Sequence, residues 1–349
     1  MKKCLAALAA VAALPCAGQE TEGADGSPVT LYGRVYLMFD SVEAKGGTNP
    51  VPRRNRVTDQ SSLLGVRGTE NLGGGLKAVY QLETGFSPDA GSGTFANRNS
   101  GVGLAHPNFG TVIMGRWDMP MKTAQAAPLD PYTDLALADI TGTALNQGNF
   151  ANREANTIQY WSPTLSGFEV RLAYAANEAK AADRNPYKYG ASVVWSNKEV
   201  YLTYAYEKHN DSRDGTVTPG IEEEGHGIGA YVRLFGAKLM AQYGEYSRTN
   251  TVKQKGYALG VDWVLAEKHH VLAIYQNSKD GGVTTAAQPR CDMTGVGYRY
   301  DFSRRTFVTA YYTRVSNEVG NLCNFGAGTL SITAGGDPQG ISAGIRHVF

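Results

Sequence analysis

From residue 29 almost to the C-terminus, apolar and polar residues take turns one by one, the period of a strand with one apolar and one polar face. Over residues 29–40, Leu31, Val35, Leu37 and Phe39 share one face, and Thr30, Tyr32, Arg34, Tyr36 and Asp40 the other. Phe168, Val170, Leu172 and Tyr174 stand opposite Glu169, Arg171 and Ala173. Tyr257, Leu259, Val261 and Trp263 stand opposite Lys255, Gly260 and Asp262. Charges recur on the polar faces, and Tyr, Trp or Phe often sits near the end of an apolar one. In residues 307–315 either face qualifies as the apolar one. Neither a βαβ rhythm nor a convincing helical segment follows residue 30. A soluble sandwich also alternates, but around a closed core with its polar face outside.

The connections separate these alternatives. Short ones (70–75, 106–109, 163–167, 196–198, 235–236, 266–269, 303–305) take turns with long ones (41–57, 87–96, 118–152, 177–186, 209–225, 247–253, 279–291, 316–337). Seven short and eight long connections join sixteen strands. An even number of antiparallel strands, with short turns at one end and long loops at the other, is the pattern of an outer-membrane barrel. Closure has a physical cause: lipid offers no hydrogen-bond partner to an open sheet edge. Sixteen strands enclose more volume than side chains fill, so an aqueous channel is expected.

Composition agrees. The longest apolar run, residues 5–15, is too short for a spanning helix of ~20 residues. A mean hydropathy of −0.30 is what alternation averages to in a barrel. The net charge of +1 excludes a generally basic nucleic-acid binder. Met1-Lys2-Lys3, the apolar residues 4–14 and the small residues ending at Gly18 form an export signal cut before Gln19. The expected organisation is a signal peptide at 1–18, a short N-terminal extension at 19–27 and a barrel over 28–349. Loss of Lys2 and Lys3 leaves 31 of the 33 basic residues against 32 acidic ones. Of the four cysteines, Cys291 and Cys323 remain, and export makes a disulfide chemically permissible.

Five blocks, in order, resemble Gram-negative trimeric general porins of the β-proteobacterial branch: residues 29–33, 61–83 (SSLLGVRGTENLGGGLKAVYQLE), 108–116, 156–163 and 344–349 (GIRHVF). The resemblance covers essentially all of 28–349. It implies an all-β, 16-stranded antiparallel transmembrane β-barrel whose third loop, 118–152, folds inward and narrows the bore. It implies a homotrimer in the Gram-negative outer membrane that passes ions and small hydrophilic solutes by diffusion. The implied partners are outer-membrane lipid and lipopolysaccharide, the barrel-assembly machinery and the solutes, with no nucleic acid, metal or cofactor.

Porins of this type set loop acids against wall arginines across a narrow lumen, and rings of charge set ion preference. The loop acids here are Asp118, Asp130, Asp134 and Asp139, with Lys122 the one internal basic residue. Parity and resemblance together nominate Arg34, Arg67 and Arg153 on the wall. Arg98 rests on resemblance alone, because alternation there does not choose a face. Each arginine has a second reading as a wall residue paired with a neighbouring acid such as Glu83, outside the constriction. Lys77, Gln81 and Glu83 face inward by the same alternation. Where the family often has an arginine this chain has Leu63, which weakens any expectation of anion preference.

Cys291 and Cys323 fall in or beside the seventh and eighth outer loops, which are neighbours in a barrel; a disulfide and two free thiols are both open. Phe349 resembles the assembly signal that ends outer-membrane barrels. Two rival functions are an enzyme carried on outer loops and a plugged adhesin-type barrel. The only His/Asp group to test for the former is His209, Asp211, Asp214 and His226, which a solvated loop explains better. For Glu222-Glu223-Glu224, a hydrated charge run is the simpler alternative to a calcium site.

Overall fold

The computed structural model describes residues 28–132, 137–139, 150–213, 215–249, 253–279, 290–326 and 328–349, and the backbone of 19–22. Among them, sixteen strands form the wall. They are β1 (Pro28–Gly46), β2 (Leu63–Gly73), β3 (Leu76–Ser87), β4 (Ser100–His106), β5 (Gly110–Asp118), β6 (Arg153–Trp161), β7 (Phe168–Ala176) and β8 (Tyr187–Ser196). The others are β9 (Val200–Arg213), β10 (Thr216–Leu234), β11 (Ala237–Arg248), β12 (Gln254–Ala266), β13 (His269–Lys279), β14 (Arg290–Asp301), β15 (Thr306–Asn317) and β16 (Gly336–Val348). Each pairs antiparallel with the next. β16 closes the cylinder on β1, with Gly336 beside Gly46 and Val348 beside Arg34, so the wall keeps no open edge.

β2 has a separate outer piece, Val51–Asp59. That piece pairs with the upper part of β1 while Leu63–Gly73 pairs with the lower part. The break falls at residues 60–62, where Ser61 has a φ of 65°. Residues 19–22 fold back on β1, Gln19 beside Leu31 and Glu22 beside Pro28.

The burial pattern follows the alternation. Leu31, Phe39, Val102, Leu259 and Ile345 are exposed on the outer face, while Asp40, Glu207 and Thr313 on the other face are fully covered. An exposed apolar belt over a covered polar interior inverts a soluble fold and matches lipid outside and water within. Residues 307–315 resolve the same way: Thr309, Tyr311, Thr313 and Val315 are covered, Ala310 and Tyr312 exposed.

Three features differ from the sequence reading. Residues 41–57 are a hairpin extending β1, with only 47–50 outside strands. Residues 209–225 likewise belong largely to β9 and β10, which run on to Arg213 and from Thr216. Their charges read as loop, yet they pair across strands: Lys208 Nζ lies 3.0 Å from Glu222 and 3.2 Å from Glu224. The third difference is a helix, α1 (Pro120–Leu129). Pro120 opens it, where a missing N–H costs nothing. Met121, Ala124, Gln125 and Leu129 are its buried side, too short a stretch to announce a period.

Candidate pore constriction

Four arginines converge from the β1–β6 side of the wall. Gly65 makes room for the first contact: a Cβ there would lie 2.3 Å from Tyr32 Cζ. Tyr32 therefore lies across β2, with the Arg67 guanidinium carbon 5.0 Å above its ring. Tyr32 Oη donates to Glu83 Oε2 at 3.0 Å, and Arg98 Nε donates to Glu83 Oε1 at 2.6 Å. Arg34 Nε donates to the Ser61 carbonyl at 2.8 Å, at the break in β2. Arg98 and Arg153 share a cavity of about 530 Å³ with Asp59, Ser61 and Asn97.

Asp118 stands among these arginines. Its Oδ1 is 3.0 Å from Arg153 Nη2 and 3.2 Å from Lys122 Nζ. Asn99 Nδ2 donates to its Oδ2 at 2.9 Å, and Arg153 Nε donates to Asn99 Oδ1 at 2.7 Å. Met119 N–H donates to the Asn152 carbonyl at 2.9 Å. The two ends of the third connection are thus clasped at its root. Asp118 sits beside Arg153, in the arginine group.

From that root the described chain runs along the covered face of the wall. Tyr201 Oη donates to the Ala124 carbonyl at 2.7 Å, and Lys238 Nζ to the Pro128 carbonyl at 2.6 Å. Pro131 lies against Gly260, and Tyr132 Oη donates to the Leu272 carbonyl at 3.3 Å. Glycines on alternate strands make the track: a Cβ at Gly190 would meet Met119 and Pro120, at Gly227 Gln125, at Gly229 Leu129, and at Gly297 Tyr132. Asp130 is buried, its Oδ1 accepting the Tyr132 N–H at 2.9 Å. Asp139 is half-buried beside Leu137 and Ala138. Asp134 lies outside the described residues.

Sequence reasoning missed Lys238 and Tyr201. Both share the inward parity of their strands, Lys238 with Met240 and Tyr201 with Thr203, so alternation carried the signal. The inward glycines were a second one.

The remaining nominated groups separate. His209 is fully buried between Glu207 at 2.8 Å and Glu223 at 3.3 Å, beneath the Phe150 ring at 4.5 Å. His226 is on the opposite face with Tyr204 Oη at 2.9 Å. Asp211 accepts backbone N–H groups from Asn185 and Gly220 at 2.6 and 2.8 Å, and Asp214 lies outside the described residues. The acidic run is split by parity, Glu222 and Glu224 going to Lys208 and Glu223 to Arg248 at 2.7 Å. Cys291 and Cys323 are joined as a disulfide with Cα atoms 6.2 Å apart. The Phe349 and Gly33 backbones exchange two hydrogen bonds of 3.0 Å.

A closed antiparallel wall, greasy outside and charged within, defines an outer-membrane β-barrel of sixteen strands. A family model described as Gram-negative porin matches residues 4–320, and the chain belongs to that family. It is similar to major outer membrane protein P.IB of Neisseria meningitidis serogroup A / serotype 4A, 28% identical over 369 residues and covering all of both chains. It is also similar to outer membrane porin protein 32 of Delftia acidovorans, 27% identical over 366 residues, again covering all of both. Among solved structures, the anion-selective porin from Comamonas acidovorans superposes with a TM-score of 0.78 at 24% identity, over 93% of this chain and 100% of that one. The trimer form of Vibrio cholerae OmpT superposes at 0.70 and 17% identity, over 93% and 99%. The protein is an outer-membrane porin.

Proposed function

We propose that this porin is a passive diffusion channel for ions and small hydrophilic solutes, assembled as a homotrimer after residues 1–18 are removed as a signal peptide. The observation that carries the reading is the inverted wall, with Leu64 exposed outward and Arg67 on the covered polar face of the same strand. Residues 118–152 fold into the bore and narrow it. The contacts of Tyr201, Lys238 and the glycine track support this, because one short segment touches successive strands from β8 to β15 only from inside the ring.

Arg34, Arg67, Arg98 and Arg153 form the positive side of the narrowed passage. Asp130, Asp134 and Asp139 belong to the segment facing them, and Asp118 holds its root. A field across a narrow lumen favours solutes that keep polar interactions throughout and disfavours apolar ones. Outer-membrane lipid and lipopolysaccharide cover the apolar belt, and the assembly machinery reads the strand ending at Phe349. No catalytic step enters: His209 and His226 point to opposite faces, and the proposed transport needs no cofactor.

Planar-bilayer recording tests the reading, with liposome swelling in sugars as the companion assay. Ohmic current steps in groups of three are the expected result. A bilayer that stays silent with correctly assembled protein contradicts it.

A further inference from the structure

The last connection, between β15 and β16, has no charged residue from Val319 to Gly336. Its fold matches that composition. Phe325 is fully buried and Leu330 nearly so, both in one apolar cluster with Val42 and Ala44 of β1 and Val315 of β15. Those wall positions, with Leu272, Ile274 and Met293, point inward and form the largest apolar cluster among the described residues, beside covered polar neighbours such as Asp40, Gln276 and Thr313. Tyr132, Leu137 and Ala138 from the third connection join the same cluster. Two loops from different parts of the chain therefore cover one apolar sector and share one core within the ring.

The connection is also tied down by polar contacts. Asn317 holds Cys323 both ways, donating from Nδ2 to its carbonyl at 2.8 Å and accepting its N–H at Oδ1 at 2.8 Å. Asn324 bridges the bend, donating to the Leu330 carbonyl at 2.7 Å and accepting the Phe325 and Leu330 N–H groups. Arg56, on the outer piece of β2, lies where a Gly328 Cβ would come 2.6 Å from Nη2. Asn49 N–H donates to Thr333 Oγ1 at 3.1 Å. The Cys291–Cys323 disulfide fastens the segment to the start of β14.

We propose that residues 318–335 form a strap, anchored by Phe325 and Leu330 and held by Cys291–Cys323, that sets the size limit of solutes entering the bore. The inference rests on the diffusion-channel reading and names a second determinant of what passes, separate from the arginine group. Apolar wall left bare to water is unfavourable, so the strap stays seated, and its volume is subtracted from the mouth. Its contact with Leu137 and Ala138 also steadies the far end of the third connection.

The test compares the full-length protein with a variant carrying Cys291→Ser, Cys323→Ser, Phe325→Ala and Leu330→Ala, in planar bilayers and in liposomes swelling in glucose or raffinose. Of the four substituted residues only Cys291 lies in the wall, and serine there keeps its backbone pairing with Ser278 and Asn317, so the barrel is expected to assemble in both. The variant is expected to show a larger single-channel conductance and to lose much of the discrimination against raffinose. An assembled variant with unchanged conductance and discrimination overturns the strap. Should the variant not assemble, Phe325→Ala/Leu330→Ala with both cysteines kept is inserted with its disulfide intact and then treated with a reductant. After complete reduction, increased conductance supports the proposal and an unchanged one overturns it. Silence of both forms in every assay overturns the channel reading itself, and the strap with it.

Discussion

Arg153 and Asp118 tie the end of β5 to the start of β6, with Arg153 Nη2 3.0 Å from the carboxylate and both side chains mostly covered. Removing one member of a covered pair leaves the other charge uncompensated, at a cost of roughly 3 kcal/mol. Here Lys122 remains as a second partner of Asp118. Arg153→Gln is therefore expected to loosen the root of the third connection without dissolving the wall. Open-channel current noise and proteolysis within residues 119–152 both rise; a variant as quiet and as resistant as the unaltered protein counts against the clasp.

The arginine group predicts opposite signs for two substitutions. Arg67→Gln removes a cation held over Tyr32, and Glu83→Gln removes the anion paired with Arg98. In a tenfold KCl gradient the reversal potential shifts a few mV toward cation preference for the first and toward anion preference for the second. Perfect selectivity corresponds to about 59 mV. Equal shifts of the same sign remove these residues from the ion path.

Lys238 and Tyr201 hold helix carbonyls rather than solutes, so their loss acts on position. Lys238→Met keeps much of the side-chain volume and deletes the bond to the Pro128 carbonyl. Frequent brief closures or sublevels in single-channel records are expected, with little change in ion preference. Tyr201→Phe, which deletes the bond to the Ala124 carbonyl, gives a milder form of the same record.

At the short-turn end, Gly33 and Phe349 share two backbone bonds. A Cβ on Gly33 would fall 2.6 Å from Phe349 Cζ and 2.7 Å from the Leu63 carbonyl oxygen. Overpacking of that kind costs about 1–3 kcal/mol. Gly33→Ala is expected to lower the temperature at which the barrel unfolds on unheated gels. Deletion of Phe349 is expected to cut outer-membrane levels; normal levels of the truncated chain would show that this residue is dispensable for assembly.

Parity set Arg67 with Leu63 and Gly65, and in the structure Leu63 and Gly65 are covered while Leu64 is exposed. For Arg153 parity with Thr157 and Gln159 is not what places the side chain, because a bulge between Glu154 and Thr157, with Asn156 at a φ of 53°, interrupts the alternation. The rest needed tertiary context. α1 is a single short helix that opens on Pro120 and carries Pro128 in its last turn, held by contacts to β8–β11, so no local period marks it. Charges in residues 209–225 read as loop because they pair across one hairpin, Lys208 with Glu222 and Glu224 and His209 with Glu223, which a charge run does not announce. Inward Leu272, Ile274 and Met293 contradict a polar-inside rule until Tyr132 and Ala138 of the third connection, which lie against this part of the wall, are known. Asp118 was counted with the loop acids, but its ion pair with Arg153 holds the loop's root.

The central claim is that neighbouring residues of β2 face different solvents, water at Arg67 and lipid at Leu64. Its most direct test is Arg67→Cys against Leu64→Cys in planar bilayers, with a charged water-soluble thiol reagent added to the open channel. Modification is expected to step the current down at position 67 and to leave it unchanged at position 64. Current block at position 64 with none at position 67 would contradict the account.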